Sequence, residues 1–153
     1  MGALEAVLAR LAGQRVYIDT NVFIYFLDRH ATYFDAVAPL FRACAAQEFF
    51  GTTGDAAVAE VMVGAYRQND PVLVARFKQF FAQKNFLTIA SHDHAVFDAA
   101  AMLVARNRLR FIDALHFATA QSTGCPFFIT NDTAIKSMAN LEVILLASLL
   151  PPA

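Results

Sequence analysis

Four acidic side chains, Asp19, Glu60, Asp113 and Asp132, are the residues of this chain whose types and spacing could do chemistry. Asp19 ends a short apolar stretch of strand character, Arg15 to Asp19, and Asp132 lies two residues past another, Pro126 to Thr130. Asp113 falls in the first turn of the helical segment that precedes the second of these strands. Glu60 falls in the second turn of a helix that follows the strand Phe49 to Thr53, with Ala59, Val61 and Met62 around it. A carboxylate in so apolar a setting asks for a partner. The sequence offers no single basic residue to accompany the four. Two carboxylates about 5 Å apart repel by roughly 3 kcal/mol at an effective dielectric of about 20, so a cluster of this kind calls for a cation. A hard divalent ion bound through oxygen suits the donor set.

Each position also has an ordinary reading. Asp19 can cap the helix that follows it, Asp113 can be a first-turn charge favoured by the helix dipole, and Asp132 in Thr-Asn-Asp-Thr can be a turn residue. Glu60 can lie on a solvated helix face. What joins the four is that all fall near one edge of one sheet.

That sheet follows from the periodicity. After the strand Arg15 to Asp19, with Asp19 or Thr20 as cap, Val22, Phe23, Phe26 and Leu27 recur at helical spacing, as do Val37, Leu40, Phe41, Cys44 and Ala45. The strand Phe49 to Thr53 leads into a helix at Gly54 and Asp55, and Asp70 with Pro71 starts another whose stripe is Leu73, Phe77, Phe80 and Phe81. Leu87 to Ala90 is the next strand, and Ser91 can cap a helix that runs to about Arg106 and is apolar nearly all round, which implies burial on both sides or a partner. A helix from Ile112 to about Thr123 ends at Gly124, the strand Pro126 to Thr130 leads through Asn131 and Asp132 into a short helix, and Val143 to Leu146 closes the sheet. Strands separated by helices predict an α/β fold, a three-layer α/β/α domain around a central, mainly parallel sheet. Function in such sheets gathers at the carboxyl ends of the strands.

The 153 residues suit one domain, residues 1–153, and composition narrows its class. Apolar residues make up 58% and charged residues 16%, with mean hydropathy +0.45, which excludes disorder. Twelve Lys and Arg against thirteen Asp and Glu leave a net charge of -1, so any nucleic-acid surface must be local. The one basic cluster is Arg106, Arg108 and Arg110. It can bind phosphates or simply end a helix. The apolar surplus implies a surface that meets another protein or a second copy. Cys44 and Cys125 have no metal-ligand spacing and read as reduced and structural. Met1 to Gln14 carries Glu5 and Arg10 within its apolar pattern and is no secretion signal, and Val143 to Leu150 is too short to cross a membrane. A cytoplasmic protein without a membrane role is expected. His92 and His94 lack a third ligand in sequence, and His116 reads as a packed residue beside the acidic set.

The stretches Tyr17-Ile-Asp-Thr-Asn-Val-Phe, Ala59-Glu-Val-Met-Val-Gly64, Phe111-Ile-Asp-Ala-Leu-His-Phe-Ala-Thr-Ala120 and Ile129-Thr-Asn-Asp132 resemble the four motifs of PIN domains, most closely the VapC-like toxin ribonucleases. The resemblance spans nearly the whole chain. It implies that Asp19, Glu60, Asp113 and Asp132 hold Mg2+ or Mn2+ for hydrolysis of RNA, with Asp19 and Asp113 as principal ligands and Glu60 and Asp132 completing the shell. Thr20, Asn21, Thr130 and Asn131 are then candidates for hydrogen bonds that hold those carboxylates, beside their ordinary reading as caps and turn groups. A cognate antitoxin and a homodimer are implied as partners. The family often carries a Ser or Thr a few residues before the Glu; here Ala57 lies close to that place and Thr53 is the candidate polar neighbour. Two rival readings differ in class. A phosphatase using Asp19 as nucleophile would need a second Asp at position 21, where Asn21 stands. A noncatalytic module would keep the fold and bind RNA or a partner without cutting.

Overall fold

A computed structural model describes residues 1–138 and 140–153. Five strands, β1 (Arg15–Ile18), β2 (Phe50–Gly54), β3 (Leu87–Ala90), β4 (Phe127–Thr130) and β5 (Glu142–Leu145), form one sheet in the order β3-β2-β1-β4-β5. Every pairing is parallel, with helices in each crossover except that from β4 to β5, which has none among the described residues. Seven α-helices accompany them among the described residues, α1 (Ala3–Leu11) before β1 and then α2 (Thr20–Leu27), α3 (Phe34–Ala45), α4 (Asp55–Arg67), α5 (Pro71–Phe81), α6 (His94–Asn107) and α7 (Phe111–Ser122), and a 3-10 turn (Leu146–Leu149) follows β5. None of them is long and apolar enough to cross a membrane.

Alternation along the strands sorts the two faces. Val16, Ile18, Ile129 and Ile144 point into a core shared with α1 to α5, in which Phe23, Phe41, Phe80, Phe81 and Phe86 meet. Tyr17 and Phe128, paired in register between β1 and β4 and stacked at 5.0 Å, point the other way, onto Phe117 of α7. Helix α7 is buried continuously from Asp113 to Ala120 because it lies between the sheet and α6. Helix α6 buries Val96 and Ala100 and leaves Phe97 and Met102 exposed, so of the two options its apolar composition allowed, burial on both sides is excluded.

Two local expectations need correction. The cap of α6 is Asp93, whose carboxylate accepts from the Val96 N–H at 2.9 Å, and not Ser91; an Asp three residues before that amide also answers the helix dipole. The short helix expected after Asp132 is absent among the described residues. Instead the Asp132 carboxylate accepts from the Ala134 N–H at 2.9 Å, and this side-chain turn competes with helix initiation.

The sheet order places a reversal between β1 and β4. From β1 the chain runs outward to β2 and β3, then returns to the far side of β1 to lay down β4 and β5. Helix α2 leaves β1 toward one face and the segment after β4 packs Ile135 on the other, which opens a crevice beyond the carboxyl ends of β1 and β4.

Candidate functional site

Asp19 stands at that crevice as the N-cap of α2 and is 5% exposed. Its Oδ1 accepts from the Thr20 N–H at 2.8 Å, and its Oδ2 accepts from the Thr130 hydroxyl at 2.7 Å, which ties the end of β1 to the end of β4. Thr130 Oγ1 in turn accepts from the Asp132 N–H at 3.0 Å and the Asn21 amide at 3.4 Å. Asn21 Oδ1 accepts from the Asn131 N–H, and Asn131 donates to the Tyr25 hydroxyl. Thr20, Asn21, Thr130 and Asn131 thus all hydrogen-bond at the crevice, and Asn21 serves as an amide scaffold. Burial pushes the Asp19 carboxyl above its ordinary range, against the pull of nearby His116 and the Thr130 and Thr20 hydrogen bonds, while Asp113 adds to the rise. A buried carboxylate whose hydrogen-bond donors are a hydroxyl and an amide is short of positive charge.

Glu60 approaches from α4. Its Oε1 accepts from the Thr20 hydroxyl at 2.7 Å and lies 2.6 Å from His116 Nε2, which is also 3.9 Å from Asp19 Oδ1. Burial works against its charge, but the His116 and Thr20 hydrogen bonds prevail and hold its pKa below the usual carboxylate value. Since an ionised carboxylate only accepts, His116 donates to it from Nε2–H, and the His116 Nδ1 lies 2.8 Å from the Tyr17 hydroxyl. Burial raises the Tyr17 pKa and keeps that hydroxyl protonated. The polar neighbour of Glu60 is therefore Thr20, and not Thr53, whose hydroxyl donates to the Ile18 carbonyl at 2.8 Å. His116 is the packed residue beside the acids that its position implied.

The expectation that no basic residue accompanies the acids is overturned. Arg110, the N-cap residue of α7, folds back over the first turn and donates from Nε to Asp113 Oδ2 at 2.8 Å and from Nη2 to Asp113 Oδ1 at 3.2 Å. The same Nη2 lies 3.5 Å from Asp132 Oδ2. The spacing of Arg110 and Asp113, three apart across a helix start, was the available signal. No such signal exists for the His116 to Glu60 contact, which spans 56 residues.

The four carboxylates therefore reach one region in two pairs. Asp113 and Asp132 share Arg110, while Glu60 and Asp19 flank His116. Among the described residues no group of three or more acidic, His or Cys side chains is gathered tightly enough to grip an ion as it stands. The donor set nevertheless fits a hard divalent ion, being all oxygen and containing a buried carboxylate short of positive charge. A cleft of about 540 Å³ opens here, lined by Asn21, Arg108, Arg110, Asp113 and Asp132. Arg106, in the last turn of α6, is not among its lining residues.

The histidines of the α6 approach are structural. His92 Nε2 accepts from the Ala56 N–H at 3.0 Å, capping α4 in place of the side chain Gly54 lacks, and a Cβ at Gly54 would meet that ring at 2.6 Å. Burial, with help from nearby His116, lowers the His92 pKa and suits it to accept. His94 is exposed at the start of α6. Both cysteines are free and buried; Cys44 donates to the Phe86 carbonyl, and burial pushes its thiol up to about 11.

The fold has solved neighbours. VapBC2 from Rickettsia felis, bound to a promoter DNA fragment, aligns with TM-score 0.66 and 15% identity over 86% of this chain and 98% of that one. A toxin-antitoxin complex from Klebsiella pneumoniae aligns with TM-score 0.64 and 19% identity over 82% and 94%. VapC20 from Mycobacterium tuberculosis, a sarcin-ricin loop cleaving toxin, aligns with TM-score 0.61 and 13% identity over 74% and 86%. Among curated protein sequences none matches significantly. The family model of the PIN domain matches residues 16–141, a stretch that holds all four carboxylates and the whole β1–β4 crevice, and the chain belongs to the PIN domain family.

Proposed function

We propose that this chain is a metal-dependent endoribonuclease, the toxin of a type II toxin-antitoxin pair, acting in the cytoplasm as a single PIN-like domain over residues 1–153. The observation that carries the reading is the convergence of Asp19, Asp113 and Asp132 at the β1–β4 crevice, with Glu60 joined to Asp19 through Thr20 and His116. Asp19 and Asp113 would be the principal ligands of Mg2+ or Mn2+, and Glu60 and Asp132 would complete the set. An ion held by these carboxylates would supply activation of water and stabilisation of charge on the phosphate and leaving oxygen. Thr20 and Thr130 bond the carboxylates directly, Asn21 and Asn131 brace Thr130 and the chain beyond it, and His116 with Thr20 keeps Glu60 ionised.

The test is cleavage of a panel of structured and single-stranded RNAs with Mg2+, with Mn2+ and with chelator. Cutting that requires the ion supports the reading. Absence of cutting across the panel, together with absence of Mn2+ binding, sinks it in favour of a noncatalytic module.

Arg106, Arg108 and Arg110 supply the RNA-binding charge in this reading. Replacing all three by Ala is expected to weaken RNA binding and to reduce the slope of log affinity against log salt by about 1 to 2, since each phosphate contact to a single strand contributes about 0.7. An unchanged slope would remove the cluster from the RNA path.

The solved neighbours that are toxin-antitoxin complexes support an antitoxin partner. Exposed Phe97, Met102 and Phe111 on α6 and α7 supply apolar surface for the homodimer. Light scattering on the eluting peak tests it, and a strict monomer at micromolar concentration would count against it.

A further inference from the structure

Arg110 occupies the position in which a four-carboxylate site has least room for a second cation. Its guanidinium forks onto both oxygens of Asp113 and reaches Asp132, so two acids from two different elements share one positive charge. The partners are unlike in exposure. The Asp113 side chain is 8% exposed and the Arg110 side chain 73%. A buried carboxylate needs its counter-charge, whereas an exposed guanidinium loses little by leaving, because water takes over its hydrogen bonds. The arginine is the N-cap residue of α7 with extended backbone, so rotation about its own side-chain bonds is enough to carry the head group out into the cleft.

We propose that Arg110 is a displaceable counter-ion: it neutralises Asp113 and Asp132 when no divalent ion is bound, and it exchanges with that ion. The inference rests on the nuclease reading above and adds a step to it. A guanidinium and a dication on the same Asp113 carboxylate repel each other, and Arg110 already engages both of its oxygens. The ion therefore enters as the arginine leaves. The released head group lies on the wall that also carries Arg108, where a phosphodiester is the anion it can meet. Ion-free protein thus keeps the site closed by its own charge, and the arginine becomes free to hold RNA only when the ion is in place.

Calorimetric titration of Mn2+ into the full chain tests the exchange without reference to activity. Wild type, Arg110→Ala, Arg110→Gln and Asp113→Asn are compared, with Arg76→Ala, an exposed α5 arginine, as the control for losing one charge. Arg110→Ala and Arg110→Gln are expected to bind Mn2+ about three- to tenfold more tightly than wild type while melting lower in chelator, and Arg76→Ala to change neither. Tighter binding with a weaker fold separates displacement from general damage, which would weaken both. In a second measurement, the Nε–H signal of Arg110 in labelled wild type is expected to shift and to exchange faster with water as Mg2+ is added.

Equal or weaker Mn2+ binding by both Arg110 variants, or an Nε–H signal unmoved by saturating Mg2+, overturns the proposal. If wild type binds Mn2+ no better than Asp113→Asn, the four-carboxylate reading fails and the exchange fails with it. If wild type binds, Asp113→Asn does not, and the Arg110 variants match wild type, only the exchange fails.

Discussion

Asp19→Asn is expected to lower metal-dependent RNA cleavage by at least a hundred- to thousandfold, roughly the loss when one group stabilising transition-state charge is removed, and yet to raise the melting temperature in chelator. The two effects have one cause. Burial disfavours the Asp19 charge and raises its pKa, so the ionised side chain costs the ion-free protein stability that a neutral isostere of the same shape recovers. Each kcal/mol recovered is worth about 2–4 °C in a chain of this length. An acid with a raised folded-state pKa binds its proton more tightly folded than unfolded, so the Asp19 contribution falls as pH rises from about 3.8 through the raised value and is flat above it. Glu60 has the opposite sign. With a lowered folded-state pKa it contributes stability above its ordinary 4.5 that is lost as pH falls through the lowered value. Melting in chelator across pH 3 to 8 should show the falling limb in wild type and its disappearance in Asp19→Asn. A variant that melts lower than wild type at pH 7, or that still cleaves at near the wild-type rate, would contradict the account.

Phe23→Ala should produce the largest loss of stability, about 3–5 kcal/mol out of a total near 5–15. Phe23 is fully buried, its ring centroid 5.4 Å from that of Phe41, 5.2 Å from Phe81 and 6.2 Å from Phe80, the last two edge-on. These rings belong to α3 and α5, so the truncation leaves a cavity where three helices meet, and the rigid rings cannot collapse into it. The same side chain anchors α2, whose first turn carries Thr20 and Asn21 and whose cap is Asp19. Loss of cleavage should therefore accompany the loss of stability. A urea midpoint that falls with unchanged slope is the expected record. Phe111→Ala, at a ring 48% exposed, should cost far less. Similar costs for the two would show that the aromatic cluster is not the anchor of α2.

What the sequence made legible is what local rules control. Strand and helix alternation gave the parallel sheet, and two caps were readable from type and position, Asp19 before α2 and Asp70 with Pro71 before α5. Placing four acids near one sheet edge needed only the order of elements. Where two local signals competed, the reading failed. Ser91 and Asp93 both suit a cap, and the carboxylate wins by charge; Asp132 could start a helix or close a turn on itself, and the turn prevails. Contacts far apart in sequence were beyond reach, so the choice of Thr20 over Thr53 as the neighbour of Glu60 depended on how α2 and α4 cross. Arg110 was counted as RNA-binding charge, although its spacing to Asp113 already allowed a pair.

The tie between Asp19 and Thr130 spans 111 residues, and β1 gains β4 as its neighbour only after β2, β3 and the six intervening helices have been made. Closing so long a loop is entropically slow, and the reward comes only when the last central strand docks. During synthesis and folding, then, Asp19 has no partner from β4, and a chain stopped before residue 130 holds Asp19, Glu60 and Asp113 but neither Thr130 nor Asp132. An activity assembled this way arrives last, when the core beneath it is complete, and is lost first when β4 peels from the sheet. Under the reading proposed above, only finished molecules would carry the complete site, the form in which a folded partner can recognise and hold it.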